Sequence, residues 1–319
     1  MKISILGSGA YGMAMASAFH YNKHSIKMWT NSNEEANYLN TNRKSPKIDY
    51  DIPSDIIIST NMEEVISNTD VIIFATPSEF VGSVSNELSK FYNNQYIAIT
   101  SKGIDNKSLL CLSDVIKMNI NTDLIAVISG CTFASDMVKN SILGLNVASK
   151  NLDTLNIISS ILENDYLSVY KTSDVIGTEI CGSVKNIMAI GCGIINGMGF
   201  SESSSAMFMT LAAKEITDLI KCLGGNVDTM FSFAGIGDLI LTCNSKESRN
   251  FTLGNMIGKK IDTNDYIKNT TIEGIYTLKA IVNIAKKNNI NMPIIMMINS
   301  VISGDKSSYD FINLICKLK

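Results

Sequence analysis

The chain has 319 residues, enough for about two domains and a sizeable core. Hydrophobic residues make up 45% of it and charged residues 18%, which excludes a disordered chain. A net charge of −3 argues against nucleic-acid binding as the main activity.

The first expected element is a strand, Ile3-Ser4-Ile5-Leu6. It runs into Gly7-Ser8-Gly9-Ala10-Tyr11-Gly12 and then into a small-residue helix at 13–19. G-x-G-x-x-G between a strand and a helix is the signature of a dinucleotide site. The first glycine makes a tight turn, the second lets a pyrophosphate approach the backbone, and the third lets the helix pack on the strand. The helix N-terminus offers free N–H groups to the phosphates. The run from Met1 into this turn leaves no room for a signal peptide. No apolar stretch reaches the length of a membrane span, with 187–195 the nearest and glycine-broken. A cytoplasmic protein without membrane insertion is the expectation.

Further strands are expected at 25–29, 56–59, 71–75, 96–101 and 124–129, with more peripheral ones at 145–148 and 167–170. Helical spacing falls at 34–39 and 78–91. Val71-Ile72-Ile73-Phe74-Ala75 is continuously apolar and ends at Thr76-Pro77, as a buried parallel strand does. This alternation predicts the α/β class, with an N-terminal Rossmann-type doubly wound, largely parallel sheet. From 174 onward the patterns are helical: 174–196, 203–223, 247–257, 272–287 and 292–303, with Gly224-Gly225 ending the second. The expected domains are therefore a dinucleotide-binding domain at 1–175 and an all-helical substrate and catalytic domain at 176–319. The first of these helices contains Gly177, Gly182, Gly191 and Gly193. Each costs a helix about 1 kcal/mol relative to alanine, which close helix–helix packing would offset.

The seven cysteines are scattered, form no C-x-x-C, and fit reduced, mostly buried thiols. The two histidines, His20 and His24, fall at or after the end of the first helix, opposite the edge where such sheets bind ligands. A zinc site, or any metal site, is thereby disfavoured, and a general base is to be sought among Lys, Asp and Glu. Several strands end in polar residues beside the glycine turn: Thr76 and Ser78, Ser101-Lys102-Gly103, and Ser129-Gly130. Lys102 there would meet an anion, where a lysine taken singly is more often solvated surface.

Further motifs follow in order: Ser101-Lys102-Gly103-Ile104, Ser129-Gly130-Cys131-Thr132-Phe133-Ala134 and Ser183-Val184-Lys185-Asn186. The last are Ala234-Gly235-Ile236-Gly237-Asp238-Leu239, Thr242-Cys243, Ser248-Arg249-Asn250 and Ile272-Glu273-Gly274. On these and the glycine turn, spread over nearly the whole chain, the sequence resembles the NAD(P)-dependent glycerol-3-phosphate dehydrogenases of the soluble bacterial type. The resemblance implies hydride exchange between a nicotinamide and C2 of sn-glycerol 3-phosphate, giving dihydroxyacetone phosphate, and a role in supplying glycerol 3-phosphate for phospholipid synthesis.

The resemblance also implies roles for individual residues. Lys185 would be the acid/base, Lys102 a second positive charge near the substrate, and Asp238 the group orienting Lys185. Ser248, Arg249 and Asn250, at an expected helix start, would hold the substrate phosphate. Gly130 and Thr132 would contact substrate. Gly7, Gly9, Ala10, Tyr11, Gly12, Asn31, Lys102, Ala134, Arg249, Thr271 and Glu273 would contact the cofactor.

The family pattern is broken twice: Cys131 replaces a usual proline, which should loosen that turn, and Asn31 replaces a frequent basic residue. An NAD site wants an acid near this point and an NADP site an arginine. Asn31 and Ser32 are neither, so NAD and NADP both stay open, with a lean to NADP because no acid repels its phosphate. β-Hydroxyacid and 3-hydroxyacyl-CoA dehydrogenases share this layout, and a non-catalytic dinucleotide sensor shares the turn. Ser248-Arg249-Asn250 and Gly235-Ile236-Gly237-Asp238 favour a phosphorylated triose as the small-molecule partner. The apolar helical half would supply either a homodimer face or an internal core.

Overall fold

The computed structural model describes residues 1–318. The chain divides into two compact units. One comprises Met1–Ser101 and Leu112–Val175; the other comprises Lys102–Cys111 and the chain from Ile176 onward. The segment Lys102–Cys111 thus packs with the helical unit, where the sequence places it with the sheet.

The first unit is built on one eight-stranded sheet. Its strands are β1 (Lys2–Leu6), β2 (Ser25–Trp29), β3 (Ile57–Ser59), β4 (Val71–Phe74), β5 (Tyr96–Ile99), β6 (Ile125–Cys131), β7 (Leu143–Ala148) and β8 (Leu167–Thr172). Their order is β3-β2-β1-β4-β5-β6-β7-β8. β6 and β7 pair antiparallel, and every other neighbouring pair is parallel. The order reverses direction between β1 and β4, and at such a switch point doubly wound sheets open a crevice for a ligand. Alternation along β4 explains its unbroken apolar run: Val71 and Ile73 enter the core on one face, Ile72 and Phe74 the core on the other.

Helix α1 (Ala10–Tyr21) follows β1, and α2 (Asn33–Asn42) follows β2. The side chain of Ser32 caps α2 by accepting from the Glu35 amide. The helical stretch expected at 78–91 is a 3₁₀ turn, Ser78–Phe80, leading into a helix, Val81–Leu88. A helix at Leu152–Leu162 was not anticipated from sequence; the Asn151 side chain caps it.

In the second unit the helix Val175–Gly197 runs unbroken for 23 residues, with every residue from Gly177 to Ile195 buried. The sequence expectation that no stretch here reaches membrane-span length is corrected. By length and composition this helix could cross a membrane, but 89% of its apolar window is buried by the protein itself. Gly193 and Gly197 are where a second helix, Arg249–Gly258, comes close, while Gly191 makes room for the rings of Phe208 and Phe311. A Cβ on Gly193 would lie 2.1 Å from the carbonyl oxygen of Phe251, and one on Gly254 would lie 2.0 Å from that of Ile190. Gly197 and Gly258 repeat the contact one turn on. At Gly193 and Gly197 backbone-to-backbone packing offsets the helix-propensity cost.

A buried acid supports the same unit. Glu215, on the helix Glu202–Cys222, accepts hydrogen bonds from the amides of Ile294 (3.0 Å) and Ile295 (2.9 Å) at the start of the helix Pro293–Ile302. Burial pushes its carboxyl up to about 7, against the opposing effect of those two amides.

Candidate functional site

The sheet unit carries a cleft of about 420 Å³ beside the glycine turn. The turn is shaped by what glycine alone permits. Gly7 has φ of +121°, and a Cβ there would lie 2.6 Å from the carbonyl oxygen of Ala75. A Cβ on Gly12 would lie 2.1 Å from the carbonyl oxygen of Gly7, so this glycine seats α1 on the turn. A Cβ on Gly9 would meet nothing within 4 Å. The middle glycine thus faces open space at the start of α1, where a pyrophosphate needs room and N–H donors. Ala10 and Tyr11 open that helix. Gly7, Gly9 and Asn31 all line the cleft. Thr76 lines it too, and its hydroxyl is buried and meets no partner among the described residues. A buried, unsatisfied hydroxyl facing a cleft of cofactor size fits a bound nucleotide.

Among the described residues three charged ones line the cleft, Glu35, Lys47 and Glu87, and none of them stands out in the sequence. The carboxylate of Glu35 accepts hydrogen bonds from Ser8 Oγ (2.8 Å) and Thr30 Oγ1 (2.6 Å), and its other oxygen pairs with Lys47. Burial alone would raise the Glu35 carboxyl, but Lys47 and the two hydroxyls outweigh it and hold it below the usual value. An acid is therefore present near the end of β2, contributed by α2, and the premise behind the lean to NADP is corrected.

The remaining predicted residues of this unit lie on β6 and just after it. A Cβ on Gly130 would lie 2.4 Å from the carbonyl oxygen of Gly144, so this glycine is required by the close β6–β7 pairing. Cys131 ends β6, and its thiol donates to the Gly144 carbonyl oxygen at 3.6 Å. Thr132 is buried and hydrogen-bonded to Tyr11 Oη at 2.9 Å. Ala134 begins the short helix Ala134–Val138.

The helical unit carries the second cluster. Asp238 is 1% exposed and receives two lysines: Lys185 at 2.5 Å on Oδ1 and Lys102 at 2.9 Å on Oδ2. Thr242, one helical turn after Asp238, accepts from Lys185 Nζ at 3.0 Å and donates to Asp238 Oδ1 at 3.2 Å. The Thr242-Cys243 motif by itself points to no role for Thr242. Its signal was the i, i+4 spacing on the helix Asp238–Asn244. A kink at Gly235 (φ −88°, ψ −106°) sets the start of that helix, and a Cβ there would lie 2.3 Å from the carbonyl oxygen of Met230.

Burial lowers the Lys185 ammonium to about 8. Asp238 opposes that shift and Lys102 reinforces it. Burial would raise the Asp238 carboxyl, but the two lysines dominate and hold it below the usual carboxylate range. An ammonium has three N–H donors, and Asp238 and Thr242 take two from Lys185. Lys185 can therefore offer a proton to a third group, and can lose one near neutral pH.

A second knot begins at the residue after Lys185. Asn250 donates to Asn186 Oδ1 at 3.1 Å and accepts from the Gly274 amide at 2.9 Å. Asn186 also donates to Glu273 Oε2 at 3.4 Å. Burial raises the Glu273 carboxyl, opposed by Arg249, Lys102 and Lys185. Ser248 is buried and caps the helix Arg249–Gly258 by accepting from the Phe251 amide at 3.2 Å. Arg249, the first residue of that helix, is exposed, as is Thr271. The geometry thus groups Lys102, Lys185 and Asp238, and separately Asn250 with Glu273. It gives Ser248 and Asn250 structural partners that the sequence did not foresee.

Comparison with known proteins matches both halves of the chain. Residues 2–155 match the family described as NAD-dependent glycerol-3-phosphate dehydrogenase N-terminus, and residues 174–313 its C-terminus. A glycerol-3-phosphate dehydrogenase [NAD(P)+] of Fusobacterium nucleatum is 33% identical over 320 residues, covering 98% of this chain and 96% of that protein. A protein of the same name from a Thermoanaerobacter strain is 34% identical over 316 residues, covering 97% and 95%. Among solved structures, a glycerol-3-phosphate dehydrogenase from Coxiella burnetii superposes with a TM-score of 0.93 at 26% identity, covering 99% of each chain.

Proposed function

Because the chain belongs to the NAD-dependent glycerol-3-phosphate dehydrogenase family, we propose that it interconverts dihydroxyacetone phosphate and sn-glycerol 3-phosphate by hydride transfer. The observation that carries this is the Lys102–Asp238–Lys185 cluster, with Asp238 and Lys185 buried and Lys185 lowered to about 8. Bound nicotinamide dinucleotide supplies the hydride or accepts it. The chain's own residues supply the rest.

Ketone reduction leaves negative charge growing on the C2 oxygen, and Lys185 delivers the proton that quenches it. Alcohol oxidation runs the same step backwards, with Lys185 as the free amine taking the hydroxyl proton. Asp238 and Thr242 hold Nζ in place. Lys102 adds a second positive charge that stabilises the oxyanion and lowers the proton affinity of Lys185. Arg249 takes the substrate phosphate, a role suited to an exposed guanidinium at a helix start. The glycine turn, Thr76 and Asn31 hold the nucleotide. In the cell the product serves phospholipid synthesis.

The deciding experiment follows nicotinamide absorbance with dihydroxyacetone phosphate, a hydroxyacid and an acyl-CoA thioester as alternative substrates. Turnover with dihydroxyacetone phosphate alone supports the proposal. Turnover with either of the others, or with none of the three in a folded sample, rejects it.

A further inference from the structure

Lys47 is the single basic side chain among the described residues lining the cleft of the sheet unit. It projects from a loop whose geometry is fixed by main-chain bonds, Ser45 N to Tyr50 O at 3.0 Å and Ile52 N to Arg43 O at 2.8 Å. Its ammonium sits on one oxygen of Glu35. The other oxygen is pinned by Ser8 of the glycine turn and by Thr30, the residue after β2. In a doubly wound sheet the end of the second strand is where an acid holds the ribose hydroxyls of NAD, or a cation accepts the 2′-phosphate of NADP. Here both charges occupy that place and neutralise one another.

Resting on the dinucleotide reading above, we propose that the Glu35–Lys47 pair selects between NADP and NAD, with Lys47 as the receptor for the 2′-phosphate. While Lys47 covers Glu35, the acid presents no bare charge to repel a phosphate. The ammonium keeps donors to spare for the phosphate oxygens. Removing Lys47 does two things at once: it takes away the phosphate's cation, and it uncovers a carboxylate that accepts hydrogen bonds from a ribose diol and repels a phosphate. Removing the charge of Glu35 does the reverse. Asn31 lines the same cleft and can donate to either form, so it does not discriminate between them.

The test is equilibrium titration of the full chain with NADPH and with NADH, followed by nucleotide fluorescence, with 2′,5′-ADP as a competitor. Lys47 is exposed, so its replacement should leave the fold intact. A charge-assisted hydrogen bond corresponds to about 10–100-fold in affinity. For Lys47→Ala we expect NADPH preference over NADH to fall by that factor and competition by 2′,5′-ADP to weaken with it. Lys47→Arg should retain the preference, and Glu35→Gln should raise it. An unchanged preference in Lys47→Ala, equal losses for both nucleotides, or a fall in Glu35→Gln overturns the assignment. Failure of the unmodified protein to bind either nucleotide instead overturns the dinucleotide reading itself, and this proposal with it.

Discussion

Oδ1 of Asp238 lies 2.5 Å from Nζ of Lys185, and both groups are buried. Their pairing keeps Lys185 from losing its proton altogether. Burial and Lys102 push the ammonium down, and Asp238 pulls it back up. Two opposite pH dependences result. Reduction needs the ammonium, so kcat/KM for dihydroxyacetone phosphate should fall as pH rises through about 8. Oxidation needs the amine and should rise over the same interval. Rate profiles in both directions that show no ionisation near this value would remove Lys185 from the proton transfer.

Asp238→Asn removes the anion that raises Lys185. The Lys185 pKa should therefore drop further, shifting both pH limbs toward acid. The turnover number should fall as well, because Nζ loses its anchor. The check is the position of the limb, which a merely structural loss would leave in place.

Lys185→Ala should reduce turnover by about 10²–10⁴-fold, the usual contribution of a general acid–base, while dinucleotide binding persists. Calorimetric titration with cofactor distinguishes this from unfolding. A collapse of cofactor affinity in a folded variant would give Lys185 a different role.

Arg249→Ala should raise KM for the phosphorylated substrate with a smaller change in kcat. A lost contact to a charged group costs about 1.5–3 kcal/mol. An unchanged KM would move the phosphate site elsewhere.

Two further variants probe stability. Gly254→Ala places a methyl 2.0 Å from the Ile190 carbonyl oxygen, so the helix Arg249–Gly258 must shift. Overpacking costs about 1–3 kcal/mol and should lower the melting temperature by several degrees. For Glu215 the folded pKa, about 7, lies above its ordinary value of 4.5. A raised carboxyl favours folding fully below the unfolded pKa, and that contribution is lost as pH climbs through the folded value. Thermal stability should therefore decline between about pH 4.5 and 7, and Glu215→Gln should flatten that slope.

The sheet, the glycine turn and the change to helices near 174 could all be read from the sequence, because they rest on local periodicity and on turn chemistry. Gly9 shows how far such reading goes: its spacing predicted open backbone, and nothing stands within 4 Å of its Cβ position. The lysine–aspartate cluster was legible only through resemblance, since Lys102 and Asp238 are 136 residues apart and neither motif names the other. Glu35 and Lys47 could not be found at all. Glu35 reads as an ordinary first-turn acid, and Lys47 as a loop lysine, until the fold sets both at one cleft. The helix Val175–Gly197 misleads for a related reason: Gly191, Gly193 and Gly197 look like breaks until the rings and the partner helix packed against them are known.

The excursion of Lys102–Cys111 into the helical unit bears on how this protein can be cut. A fragment beginning at Ile176 would look like a whole domain on paper, yet it would lack Ile104, which belongs to that unit's apolar core. It would also lack Lys102, leaving Oδ2 of Asp238 without its cation. Complementation should therefore require the ten-residue loop to be supplied: a peptide covering 102–111, added to the fragment, should restore part of its cooperativity on heating. The smallest portable form of the Lys102–Asp238–Lys185 cluster is discontinuous in sequence.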